Sequence, residues 1–222
     1  MKKIISYSNP KSIISEEFKA IRTNIQYSNL DKKIKTILVT STTKNEGKTT
    51  IATNLAVNFA QIDNKKVLII DCDLRNPSVH KEFDISNIKG VSDLLLEEKN
   101  ILNYIKQTEV KNLHIITAGA IPPNPSEMLS SNKMREFIEI IKEEYDYVFI
   151  DTPPIGMVTD AGILASFVDG TVMVVRSEGV EIKAIQDAKK KLKAVNANII
   201  GAILNRNKVK KDDYYYLYYG AE

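Results

Sequence analysis

Six short apolar runs rich in Val and Ile, separated by segments of helical period, constrain this 222-residue chain more than any other feature. They are IKTILVTS (34–41), KVLIIDCD (66–73), LHIITAG (113–119), YVFIDTPP (147–154), GTVMVVRS (170–177) and NIIGAILN (198–205). A run that is apolar at nearly every position, not every second one, belongs to a strand buried on both faces. Strands of this kind alternating with helices predict one α/β domain, a doubly wound and mostly parallel sheet with helices on both faces. Residues 12–28 carry Ile14, Phe18, Ile21 and Ile25 at helical spacing, with Ser12 or Ser15 as N-cap. A second helix starts near Gly47, with Ile51, Leu55 and Phe59 along one stripe, and further helical patterns cover 126–144 and 181–195. Before the first of these, Asn124 stands as N-cap, Pro125 at the first helical position and Glu127 where a capping box places its acid.

In such sheets a ligand binds at the C-terminal ends of the strands. The first strand runs there directly into STTKNEGKTT, Ser41 to Thr50. Gly47-Lys48-Thr49 closes this stretch as a P-loop does, between a strand and a helix, so the fold is expected to be P-loop NTPase-like. Unpaired backbone N–H groups at a helix start, aligned with its dipole, favour phosphate. Lys48 reaches the β- and γ-phosphates and the Thr49 hydroxyl ligates Mg²⁺. The nucleotide is expected to lie along Lys44, Asn45, Glu46, Gly47, Lys48, Thr49 and Thr50. Thr42 replaces the usual first glycine, and Asn45 replaces glycine at the loop centre, where asparagine tolerates left-handed backbone.

Acids end two other strands. The strand 66–73 ends in Asp71-Cys72-Asp73, and residues i and i+2 of a strand face the same way, so both carboxylates point into one mouth; Asp151 ends the run at 147. Three carboxylates in one low-dielectric mouth repel, and a divalent cation relieves that repulsion. Mg²⁺ with the phosphates of ATP is the cation expected here.

Composition excludes several classes. The single Cys72 forms no internal disulfide and cannot build an iron–sulfur site. No apolar run approaches the ~20 residues a bilayer span needs, and the N-terminus lacks the apolar segment of a signal peptide. A net charge of +3 gives no argument for nucleic acid. Lysines cluster at 189–193 and 208–211 and read as a solvated helix face and a solvated linker.

Taken together, STTKNEGKTT, VLIIDCDLR with Asp71, Asp73 and Arg75, and YVFIDTPP resemble the Walker A, Walker A′ and Walker B motifs of the bacterial tyrosine kinases of capsular and exopolysaccharide synthesis, the BY-kinases. GVSDLL (90–95) and AGAIPPNPSEMLSS (118–131) also resemble stretches of that family, and the likeness covers nearly the whole chain. The resemblance implies a catalytic set of Lys48, Asp71, Asp73 and Asp151, a metal held by Thr49, Asp71 and Asp151, and Asn205 and Arg206 on the adenine side. Asp73 would face the tyrosine hydroxyl. A carboxylate near pKa ~4 is a weak base for a phenol near ~10, so Asp73 would position the hydroxyl and take its proton late, in a loose transition state. Glu16, Lys19 and Arg22 stand where the family carries Glu-x-x-Arg-x-x-Arg, the motif that packs subunits into a ring; Lys19 keeps the charge and loses the planar fork.

The chain closes on KKDDYYYLYYGAE, with five of its ten tyrosines within six positions. The domain is expected to span 1–207, and 208–222 to be a flexible tail. Its Tyr214, Tyr215, Tyr216, Tyr218 and Tyr219 would be autophosphorylated by a neighbouring subunit. The resemblance to the stand-alone form also implies a cytoplasmic protein recruited to the inner face of the membrane by a separate transmembrane activator, through that partner's cytoplasmic tail. The alternative is a P-loop ATPase switch of the plasmid or division-site positioning type. Such ATPases carry a second lysine five residues before the catalytic one, where this chain has Thr43.

Overall fold

The computed structural model describes residues 4–28, 33–97 and 100–208. In chain order the elements are α1 (Ile5–Ser8), α2 (Ile13–Gln26), β1 (Thr36–Ser41), α3 (Lys48–Ala60), β2 (Val67–Asp71), α4 (Val79–Phe83), α5 (Val91–Leu96), β3 (Lys106–Gln107), β4 (Leu113–Ile116), α6 (Pro125–Ser130), α7 (Asn132–Glu144), β5 (Tyr147–Asp151), α8 (Asp160–Ala165), β6 (Gly170–Arg176), α9 (Ile182–Ala194) and β7 (Ile199–Asn205). They form a seven-stranded sheet in the order β3-β4-β2-β5-β1-β6-β7. Every pairing is parallel except β3 with β4. The doubly wound sheet is therefore the observed fold, with one short antiparallel edge strand that no apolar run announces.

Period-2 alternation divides the strand side chains between two cores. Leu38, Leu68, Ile70, Val148 and Ile150 pack under α5 to α9, while Ile37, Val39, Ile69 and Phe149 pack under α2, α3 and α4. Helix α3 is buried along the whole of Ile51–Ala60, not only on the stripe Ile51, Leu55 and Phe59, because α1 and α2 lie over its outer side. Asn54 survives there by accepting the Ser6 N–H through Oδ1 at 2.9 Å.

Several local expectations change. Ser12 is the N-cap of α2, its Oγ accepting from Ser15 N, but Ile14 points outward and is exposed. The single helix expected over 126–144 is two helices broken at Ser131, which is extended at φ −64°, ψ 153°. Ser131 Oγ accepts from Met134 N and so caps α7, whereas the Asn124 side chain caps nothing. Strand β2 ends at Asp71, so Asp73 lies on the following loop. The lysines of α9 are exposed, as a solvated face requires.

On α2, Lys19 Nζ lies 2.6 Å from Glu16 Oε1 at the surface. Arg22 turns inward instead, its Nη1 donating to Asn58 O at 2.8 Å. The tyrosines at 214, 215, 216, 218 and 219 lie outside the described residues.

Candidate active site

The C-terminal ends of β1, β5 and β2 converge because these strands are parallel neighbours. Register sets Asp71 directly against Asp151. The loop after β1 turns back over them through two left-handed residues, Asn45 (φ 62°) and Gly47 (φ 93°). Asn45 thus takes the conformation for which asparagine suits the loop centre. Thr42 has no positive φ, so a side chain is tolerated where the motif usually has glycine. The Glu46 carboxylate points away from the mouth: Oε1 accepts from Thr43 N and Oγ1, and Oε2 accepts from Arg176 N. Glu46 therefore braces the loop with its side chain and offers the mouth only backbone. Asn205 acts from outside, its Nδ2 donating to Glu46 O at 2.8 Å.

Inside the loop, Lys48 Nζ sits 2.8 Å from Asp73 Oδ2 and 3.7 Å from Asp151 Oδ2. Burial alone would lower its pKa, but Asp151 and Asp73 outweigh burial and raise it. Thr49 Oγ1 donates to Asp151 Oδ2 at 2.6 Å and lies 2.9 Å from Ser78 Oγ. Asp71 is fully buried; its Oδ1 accepts from Asp73 N at 3.1 Å and its Oδ2 from Ser78 N and Val79 N at 3.0 Å each. Burial, then the facing Asp151, push its pKa up to about 8. Burial raises that of Asp151 as well.

A cavity of about 470 Å³ opens over these groups. Its walls include Lys44, Asn45, Gly47, Thr50, Arg75 and Arg206, with Pro153 and Met157 opposite. That is the size of an ordinary small-ligand site. The start of α3 supplies anion-seeking N–H groups from one side. Asp151 Oδ1 is buried with no hydrogen-bond partner among the described residues. An orphaned carboxylate oxygen beside the Thr49 hydroxyl is what a magnesium ion or its bound water would satisfy. Among the described residues no three His, Cys, Asp or Glu form a metal cage. The residues present therefore fit a magnesium nucleotide.

Ser78, Ser126 and Asp160 have places around this site that no motif gives away. Ser78 contacts Thr49, and Asp160 with Ser126 binds Arg75. The acid of Asp160 precedes an apolar helix, so in sequence it resembles any helix-start residue.

Fold and site together define a nucleotide-binding α/β domain of the P-loop class, and residues 34–204 match the AAA domain family. Within that class the chain belongs to the bacterial tyrosine-protein kinases. It is 42% identical to the tyrosine-protein kinase YwqD of Bacillus subtilis over 99% of this chain and 92% of that one. It is 38% identical to the tyrosine-protein kinase CpsD of Streptococcus agalactiae over 86% of this chain and 82% of that one. The crystal structure of the chimerical protein CapA2B2 superposes with a TM-score of 0.90 at 38% identity, covering 94% of this chain and 92% of that chain. The cell division ATPase MinD of Pyrococcus furiosus, on the side of the alternative reading, reaches a TM-score of 0.66 at 26% identity, covering 80% and 74%.

Proposed function

We propose that this chain is an ATP-dependent tyrosine autokinase that phosphorylates Tyr214, Tyr215, Tyr216, Tyr218 and Tyr219 on a neighbouring copy of itself and so regulates capsular or exopolysaccharide synthesis and export. The observation that carries the reading is the convergence of Lys48, Asp73 and the Thr49–Asp151 pair on one cavity above a phosphate-binding loop.

ATP, with Mg²⁺, supplies the transferable phosphoryl group. Lys48 and the N–H groups at the start of α3 would hold the phosphates, and Thr49, Asp71 and Asp151 would hold or orient the ion. Asp71 keeps the Asp73 end of the loop in place through its three backbone hydrogen bonds. The tyrosine oxygen forms the new bond to phosphorus, the bond from phosphorus to the ADP oxygen breaks, and the phenolic proton passes to Asp73. Asn205 and Arg206 flank the nucleotide's base.

The kinase domain is residues 1–207, and residues 208–222 serve as its substrate. Each phosphate adds about −1.5 to −2 charges. Several of them repel one another and the acidic mouth, and the assembly loosens. Glu16, Lys19 and Arg22 contribute to a ring of subunits. No helix among the described residues is long and apolar enough to cross a membrane. Recruitment to the inner membrane face then depends on a separate transmembrane activator.

Mass spectrometry of residues 208–222 after incubation with Mg-ATP, with and without such an activator's cytoplasmic tail, tests the reading. Multiple phosphotyrosines that vanish in Lys48→Met support it. An unmodified tail despite ATP hydrolysis defeats it in favour of the ATPase switch.

A further inference from the structure

Arg75 lies two residues beyond Asp73 at the rim of the cavity, yet its guanidinium is turned away from the phosphate loop. Its Nε donates to Asp160 Oδ2 at 2.8 Å and its Nη2 to Asp160 Oδ1 at 3.1 Å, a two-pronged pair. Nη2 also donates to Ser126 Oγ at 2.9 Å, and Ser126 Oγ donates to Asp160 Oδ1 at 2.6 Å. Three separate segments meet in this cluster: the loop 72–78 after β2, helix α6 through Ser126, and helix α8 through Asp160.

The loop 72–78 is fastened elsewhere too, with Cys72 and Leu74 buried in the core. Its ends are tied by Asp71, which accepts from Asp73 N, Ser78 N and Val79 N. Asp73 Oδ1 accepts from Asn76 N at 3.0 Å, a bond within the loop itself. Outward, Cys72 N donates to Asp151 O at 2.8 Å, Asp73 pairs with Lys48 and Ser78 contacts Thr49, while Arg75 ties the middle of the loop to α6 and α8 through a carboxylate that is itself fully buried. A planar guanidinium on a buried carboxylate fixes direction as well as distance, which an ammonium cannot do. Asp73 must stand within a fraction of an ångström of its working place between Lys48 and an acceptor hydroxyl.

We propose that Arg75 is a positioning residue for phosphoryl transfer: clamped by Asp160 and Ser126, it holds the loop 72–78 so that Asp73 meets the acceptor tyrosine. From the cavity rim it acts through the loop and not on the reacting atoms. The proposal rests on the tyrosine-kinase reading above. The phosphate loop hangs on β1, α3 and Asn205 and meets the clamped loop through the Lys48–Asp73 and Thr49–Ser78 contacts, so loss of the clamp is felt first at Asp73 and less by the nucleotide.

The test uses the full chain with an activator tail and a tyrosine peptide spanning residues 208–222. Arg75→Lys, Asp160→Asn and Ser126→Ala are compared with wild type for nucleotide Kd, kcat, KM for the peptide, and thermal melting. Arg75→Lys and Asp160→Asn are expected to lower kcat on the order of 10²-fold while nucleotide Kd changes far less. The double variant should be no worse than either single one, because both break the same contact. Ser126→Ala removes the lesser tie and should fall in between. Equal losses in nucleotide binding and kcat, or unchanged kcat in variants that melt cooperatively, overturn the proposal. Should Asp160→Asn fail to fold, Arg75→Lys and Ser126→Ala still decide it. A wild-type chain that hydrolyses ATP but never phosphorylates the peptide sinks the kinase reading instead, a distinct result.

Discussion

Lys48 Nζ rests 2.8 Å from Asp73 Oδ2, so in this structure the cation we assign to phosphate and the carboxylate we assign to the tyrosine hydroxyl occupy each other. On that assignment, arriving phosphate oxygens would compete for the same ammonium and free Asp73. Order of events follows from this: the acceptor's partner becomes available only once the donor is in place.

Asp73→Asn should therefore keep or tighten nucleotide binding while phosphotyrosine formation falls by about 10²–10⁴-fold. Lys48→Met should lose both. Isothermal titration with ADP and Mg²⁺, beside a phosphotyrosine time course, separates the two variants; loss of nucleotide binding in Asp73→Asn would contradict the order of events.

The pair of buried acids predicts how the ligand-free protein responds to pH. Asp71 titrates at about 8 in the fold, pushed up by burial and then by Asp151, against 3.8 as its ordinary value. Its raised value means the native state holds a proton that the unfolded chain has released between those two pH values. The associated stability is complete below about pH 4 and is lost as pH rises through about 8. Thermal melts of the nucleotide-free chain between pH 5 and 8.5 should show Tm falling with pH from this source, and Asp71→Asn should flatten the slope.

Gly47 cannot be replaced without moving the loop. Its φ of +93° disfavours any Cβ, and a Cβ there would lie 2.2 Å from Asn205 Nδ2, which is held by the Glu46 carbonyl. Gly47→Ala should lower nucleotide affinity by at least about tenfold, roughly 1.4 kcal/mol, while the melting transition remains cooperative. Asn205→Ala in the same background should recover part of the affinity, since it removes the clash but not the backbone strain.

Much of the site is legible in the sequence because its chemistry is local. A strand, a loop and a helix follow one another without a break, so Lys48 and Thr49 are placed by chain order alone. The strand-end carboxylates Asp71 and Asp151 are placed by the length of their apolar runs. Asp73 is legible as a site residue and misread in geometry, because the alternation of a strand was extended past Asp71, where the chain leaves the sheet. Asp160, Ser126 and Ser78 are hidden because each depends on contacts 29 to 85 residues away, and no period carries such distances. The Asn124–Pro125 signal marks a real helix start, while the break at Ser131 is legible only in principle, as a serine able to cap a second helix inside one continuous helical pattern.

On α2, Glu16, Lys19 and Arg22 do different work, and substitutions should reveal it. Glu16 and Lys19 pair with each other at the surface, where such a pair contributes little to stability. Arg22 is bound to α3. Lys19→Ala should change assembly mass in light scattering with Tm unchanged. Arg22→Ala should also cost roughly 1–2 kcal/mol of folding stability. If Lys19→Ala leaves the assembly intact, the ring reading of this helix fails.

Helix α3 is the feature with the longest reach. Lys48 opens it at the phosphates, and Asn58, whose carbonyl Arg22 holds, stands in its last turn. One peptide dipole thus has an anion seat at its head and a cation at its tail. If a neighbouring subunit competes for Arg22, the two ends are thermodynamically linked. Whatever factor nucleotide contributes to subunit affinity, subunit contact must return to nucleotide affinity. Apparent nucleotide binding would then vary with protein concentration, making the degree of crowding a signal that each active site can read.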